Sequence, residues 1–128
     1  MVLVTAGIIE REGKILIAQR MKGSLLEYKW EFPGGKLEDN ETPEECLVRE
    51  LKEELGIKTR IKSFFAESKY TYQQLSIEML VYWVEYQSGE FSLKAHEQII
   101  WVEPSKLGQF DFAEADKPII EKLRKEYL

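Results

Sequence analysis

Apolar residues along the chain fall into short runs whose period shifts twice from strand-like to helical. Val2 to Glu10 is almost continuously apolar and predicts a buried strand. Arg11 to Lys14, with Gly13, predicts a turn, and Lys14 to Arg20 (KILIAQR) returns as a second strand, which completes a hairpin. Met21 to Lys29 reads as a polar loop containing Gly23, and Trp30 to Pro33 leads into a glycine turn at Gly34 and Gly35. The period then becomes helical, with Val48, Leu51 and Leu55 on one stripe at about 100° per residue. Thr42 is a good N-cap, Pro43 needs no N–H partner in the first turn, and Glu45 completes a Thr-x-x-Glu capping box. Gly56 supplies the left-handed residue that ends this helix.

Thr59 to Tyr72 alternates and carries aromatics, and Ile77 to Tyr86 is rich in aromatic and β-branched residues; both predict strands. Tyr82 and Trp83 in the second of these fit a core position better than a dimer face. Gly89 marks a turn, and Ile99 to Val102 predicts a short strand ended by Pro104. Asp116 opens a last helix as an N-cap candidate, with Ile119, Ile120, Leu123 and Tyr127 on one stripe. Strands with interspersed helices, without repeat or linker, predict one mixed α/β domain over residues 1–128.

Composition narrows the function. Hydrophobic residues at 44% and charged residues at 32% suit a chain that buries a core rather than one that stays disordered. A net charge of −5 argues against coating a nucleic-acid polymer with a broad basic surface. It leaves room for a single nucleotide, whose charge bound metal ions can offset locally. No apolar run approaches a membrane span, and the N-terminus lacks the basic start and long apolar core of a signal peptide. The single cysteine, Cys46, has no internal disulfide partner, reads as a small filler, and suits a reducing cytoplasm.

The acidic residues of the central helix change the picture most. Glu50, Glu53 and Glu54 share one strip, away from the apolar stripe. As i, i+3 and i+4 neighbours they repel by roughly 0.2–0.5 kcal/mol per pair, and a divalent cation on oxygen ligands would convert that repulsion into attraction. The surrounding string reads Gly-x5-Glu-x7-Arg-Glu-apolar-x-Glu-Glu-x-Gly-apolar, with Gly35, Glu41, Arg49, Glu50, Leu51, Glu53, Glu54, Gly56 and Ile57 in the specified places. This resembles the Nudix box without a mismatch. The resemblance implies an α/β/α sandwich around a mixed sheet, and metal-dependent hydrolysis of a phosphoanhydride. It also implies metal ligands at Glu50, Glu53 and Glu54, with a backbone carbonyl from Gly34 or, alternatively, Gly35. Mg²⁺ is the expected metal, with Mn²⁺ able to substitute. The base is expected at Glu50, with Glu97 as the alternative, either as base or as a further metal ligand. Arg49 and Glu41 resemble the ion pair that orients the catalytic carboxylates. Lys36, beside the glycines, either contacts phosphate or is solvated.

The similarity runs beyond the box. Ile15 to Arg20, Trp30 to Lys36 and Ala115 to Ile120 are like the matching segments of MutT-type nucleoside triphosphate pyrophosphohydrolases. By that resemblance Arg20 and Phe32 contact the nucleotide, and Asp116 stands where a base-reading asparagine is found in 8-oxo-dGTP-cleaving members. Ionised aspartate offers acceptors only, which favours an exocyclic amino group such as that of cytosine, or a purine edge with donors. The CTP-cleaving subgroup carries a similar tail. The expected reaction is cleavage of (d)CTP, modified pyrimidine dNTPs or oxidised purine dNTPs to the monophosphate and pyrophosphate, sanitising the nucleotide pool. The other readings are a dinucleoside polyphosphate, for which Tyr70 and Tyr72 are a cue, or ADP-ribose, for which the expected downstream proline is missing. A non-catalytic nucleotide-binding domain is disfavoured because every box glutamate is present. The expected partner is a small nucleotide, with no nucleic-acid polymer and no membrane, in a monomer or homodimer.

Overall fold

A computed structural model describes residues 1–127. The first hairpin forms from β1 (Val2–Arg11) and β2 (Lys14–Arg20), turning through Glu12 and Gly13, both left-handed. Two short strands follow, β3 (Trp30–Glu31) and β4 (Gly34–Lys36), and then the helix α1 (Pro43–Leu55). The long strands β5 (Lys58–Tyr72) and β6 (Leu75–Ser88) make a second hairpin, and β7 (His96–Val102) returns to the first. Short 3-10 turns at Pro104–Gln109 and Glu114–Asp116 precede the helix α2 (Lys117–Glu126).

The sheet is mixed. Its main order is β3-β2-β1-β6-β5, with β4 also on β1 and β7 also on β2. Only the β1–β6 pairing is parallel among these strands, and its register runs from Val2 against Ile77 to Ile9 against Val84. Both faces of β1 are covered, which explains its unbroken apolar run. One face packs on α1 through Leu47, Leu51 and Leu55, beside Ile9, Leu16 and Val84. The other packs on α2 through Ile119, Ile120 and Leu123, beside Ile8, Ile17 and Phe112. The result is a sheet with one helix on each face. Among the described residues no helix is long and apolar enough to cross a membrane.

Tyr82 is buried, and Trp83 packs edge-on against Phe65 in the α2-side core. Cys46 is a buried free thiol among Thr5 and the carbonyls of Gly35 and Lys36, and burial pushes it up from its ordinary range.

Three local expectations are corrected. Gly34 and Gly35 do not make a turn: they are a strand, with Ala6 opposite Gly34 and Thr5 opposite Gly35. The last strand begins at His96 rather than Ile99, so Glu97 lies on a strand. Asp116 precedes α2 but makes no side-chain cap bond; its carboxylate oxygen Oδ1 accepts the Phe32 N–H at 3.1 Å instead.

Candidate active site

The acidic strip rests on a helix whose ends are chemically fixed. Thr42 Oγ1 accepts from the Glu45 N–H at 3.1 Å, and Glu45 Oε1 accepts from the Thr42 N–H at 2.9 Å. Gly56 adopts φ 74° and donates its N–H to the Lys52 carbonyl. With the Leu47, Leu51 and Leu55 stripe buried, Glu50 and Glu54 emerge where α1 meets β4.

Backbone crowding there explains the two glycines. A Cβ on Gly34 would lie 1.9 Å from the Thr5 carbonyl oxygen, which no side chain tolerates. A Cβ on Gly35 would lie 2.3 Å from Glu50 Cδ. Gly35 thus opens the space that the Glu50 carboxylate occupies.

Arg49 organises the carboxylates. Its Nε donates to Glu41 Oε2 at 2.7 Å and its Nη2 to Glu41 Oε1 at 2.9 Å, a bidentate pair. Nη1 donates to Glu50 Oε1 at 2.8 Å and to Glu53 Oε2 at 3.1 Å, and Nη2 also reaches the Lys36 carbonyl at 3.1 Å. The Arg49 guanidinium holds Glu41 down at about 2. Glu50 is held at the cavity wall with 14% of its side chain exposed, whereas Glu53 is 59% exposed.

Glu54 is the strained member. Burial first, then a hydrogen bond and charge from Glu50, push its acid up to about 8. Two carboxylates this close share a proton unless a cation relieves them. Hard oxygen donors under mutual repulsion are the donor chemistry that suits a divalent ion, so Glu50, Glu53 and Glu54 with the adjacent Gly34 or Gly35 carbonyl fit one. Among the described residues no three His, Cys, Asp or Glu side chains already converge as a metal-holding group. Arg49 engages Glu50 and Glu53 instead.

Residues not foreseen as site members complete this end. Glu31 Oε1 accepts from Arg20 Nη1 at 2.9 Å, and its Oε2 lies 3.0 Å from His96 Nε2, which is 3.9 Å from Glu54 Oε2. His96 is buried, and its Nδ1 has no partner among the described residues. The available signals were faint: Glu31 alternates between the apolar Trp30 and Phe32, and His96 is the only histidine.

A cavity of about 790 Å³ runs from this acidic end to Asp116. Glu50, Glu54, Lys36 and His96 line one end, and Phe32, Ala113, Ala115 and Asp116 the other. Its apolar side comes from Val4, Ile77 and Met79 of the sheet, with Leu25 and Leu26 of the loop after β2 facing it. Arg20 lines the cavity while its Nε donates to the Leu25 carbonyl at 2.6 Å. Tyr72 lines it too, its hydroxyl accepting the Ala115 N–H at 2.7 Å, with Tyr70 packed outside it. Phe32 is buried against Phe112.

Asp116, expected as an ionised acceptor, sits in surroundings that oppose its charge. The side chain is buried, and burial, then the Glu31 charge, push its acid well above the usual carboxylate range, against the Phe32 N–H and Arg20. A protonated carboxyl would have a donor as well as acceptors, the same pattern as asparagine. Glu97 is not brought to the acidic cluster. Its Oε1 accepts from the Lys22 N–H at 2.9 Å, and it does not line the cavity.

The family described as NUDIX domain matches residues 4–122. A CTP pyrophosphohydrolase of Escherichia coli K12 is 38% identical over 121 residues, covering 94% of this chain and 90% of that protein. An 8-oxo-dGTP diphosphatase of the same organism is 37% identical over 123 residues, covering 95% of each. The solution structure of the E. coli ORF135 protein superposes with a TM-score of 0.88 at 35% identity, over 99% of this chain and 91% of that one.

Proposed function

The chain belongs to the NUDIX family of hydrolases, and we propose that it cleaves nucleoside triphosphates, with Mg²⁺ or Mn²⁺, to the monophosphate and pyrophosphate. One observation carries this reading. A single cavity joins Glu50, Glu54 and Lys36 to apolar residues, Phe32 and Asp116, with Glu53 outside its lining. The acidic end suits metal-bound phosphates, and the apolar slot with one buried polar reader suits a nucleobase.

Glu50, Glu53, Glu54 and the Gly34 carbonyl would hold the metal, with the Gly35 carbonyl as the alternative. The bound cation would offset phosphate charge and acidify a coordinated water. The chain's own residues do the rest. Glu50 takes the proton of the attacking water, supported by its Arg49 hydrogen bond and its place at the cavity wall. Arg49 acts by orienting Glu50 and Glu53. Lys36, at the cavity rim, meets phosphate oxygen. Arg20 supports the nucleotide from the loop side, and Phe32 and Asp116 take the base.

Similarity to both a CTP pyrophosphohydrolase and an 8-oxo-dGTP diphosphatase supports a choice between cytosine and oxidised guanine nucleotides. Asp116 offers an acceptor to either base edge, and with those relatives this makes (d)CTP, modified pyrimidine dNTPs and 8-oxo-dGTP the proposed substrates, and pool sanitation the role. The test is a panel of dCTP, CTP, 5-substituted dCTP, 8-oxo-dGTP, canonical dNTPs, ADP-ribose and a dinucleoside tetraphosphate, scored by product. Monophosphate and pyrophosphate from a triphosphate are expected. Preferential cleavage of ADP-ribose or the tetraphosphate would contradict the assignment.

A further inference from the structure

We infer that Glu97 is a positioning residue that anchors the wall of the nucleotide cavity, not a metal ligand or base. This rests on reading that cavity as the nucleotide site. The register between β2 and β7 is the starting point. Gln19 pairs with Gln98 and Arg20 pairs with His96, so Glu97 has no partner on β2 and is the extra residue of a bulge. A bulge re-aims the side chains around it. His96 turns inward to Glu31 and Glu54, and Glu97 turns outward to the loop that follows β2.

That loop, residues 21–29, supplies Met21, Ser24, Leu25 and Leu26 to the cavity wall. It is held in an unfavourable conformation: Leu26 sits at φ 60° and Tyr28 at φ 65°. Left-handed backbone at non-glycine residues persists only where the surroundings over-determine it. Most of the fastening is internal to the β2–β3 connection. Arg20 Nε donates to the Leu25 carbonyl, Gln19 Nε2 to the Tyr28 carbonyl, and backbone bonds link Arg20 with Tyr28 and Lys29. Among the described residues two ties reach beyond that connection: Lys29 Nζ donates to the Asp111 carboxylate at the loop's end, and the Lys22 N–H donates to Glu97 Oε1 beside the segment that supplies the cavity wall. The bulge on β7 thus sets both the inward histidine and the outward anchor.

The three possible roles respond differently to substitution. Glutamine keeps an acceptor oxygen for the Lys22 N–H but is a poor metal ligand and no base; alanine removes all three functions. The tests are steady-state kinetics with dCTP and 8-oxo-dGTP, Mn²⁺ affinity by electron paramagnetic resonance, and amide exchange at Lys22 by NMR on the nucleotide-free protein. For Glu97→Ala the anchor predicts a KM raised about tenfold with kcat within about twofold, since a hydrogen bond to a charged group is worth about that factor or more. Exchange at Lys22 should quicken by a similar factor, with Mn²⁺ affinity unchanged. Glu97→Gln should stay within about twofold of the parent in all three measurements. Equal loss of kcat in both variants, or weaker Mn²⁺ binding in both, would return Glu97 to the metal and water chemistry and overturn the inference. Unchanged KM or unchanged Lys22 exchange in Glu97→Ala would overturn it as well. If the parent protein cleaved neither nucleotide, the proposed function would fall, and Lys22 exchange would still decide whether Glu97 anchors the loop.

Discussion

Gly34 and Gly35 separate stability from function at the scale of one added methyl. At Gly34 the obstacle is the Thr5 backbone, which cannot step aside. Gly34→Ala is therefore expected to cost about 3 kcal/mol in urea unfolding. At Gly35 the obstacle is the Glu50 side chain, which can rotate away. Gly35→Ala should cost about 1 kcal/mol and yet lose turnover beyond what that explains, because the displaced group is the proposed base. Equal effects of the two substitutions on stability and rate would contradict this division.

Asp116 makes a pH prediction. Burial and the Glu31 charge hold its acid well above the ordinary carboxylate range in the folded chain. The folded state therefore holds this proton more tightly than the unfolded state. The associated stability is complete below the unfolded value and is lost as pH rises through the higher folded one. Asp116→Asn keeps an acceptor for the Phe32 N–H and removes the titration. The variant should lose part of the decline in thermal stability that the parent shows as pH rises above the ordinary carboxylate range; an unchanged slope would mean that Asp116 ionises normally. Glu54 contributes to that decline in both proteins, so the difference isolates Asp116.

At the scale of elements, legibility followed locality. The α1 helix was largely readable because its caps and acidic strip lie within residues 42–56, although its buried stripe runs through Leu47 where Val48 was expected. Thr42→Ala should cost about 1 kcal/mol in urea unfolding, and no loss would show that packing alone holds the first turn. The first hairpin and the long β5–β6 hairpin are likewise built from near neighbours. The β4 strand was not legible, since Gly34 and Gly35 become a strand only by pairing with β1, some thirty residues earlier. The Glu97 bulge depends on a pairing across nearly eighty residues. The Glu31–His96 contact and the raised acid of Asp116 depend on burial by distant segments, which no local pattern encodes. The proposed acidic ligands could be named from the box; the hold of Arg49 on Glu50 and Glu53 could not.

For the whole molecule, the two helices on opposite sheet faces do different work. The α1 face carries the carboxylates, while the segment leading into α2 brings Asp116 against Phe32. Repulsion stored between Glu50 and Glu54 should make the folded protein respond to cations. At a hundredfold excess over Kd, Mg²⁺ or Mn²⁺ is expected to stabilise it by about 2.7 kcal/mol, read as a rise in Tm. That rise should shrink in Glu53→Gln and Glu54→Gln; a cation response equal to the parent's would remove these residues from the metal site.

The most direct measurement is ³¹P NMR of products from dCTP and 8-oxo-dGTP with Mg²⁺, using the parent protein, Glu53→Gln and Glu54→Gln side by side. The parent should yield monophosphate and pyrophosphate, and both variants should remain folded while losing at least about a hundredfold in turnover, the scale of one lost catalytic contact. Diphosphate and free phosphate from the parent, or parental rates from both variants, would contradict the assignment of this acidic helix as the centre of phosphoanhydride hydrolysis.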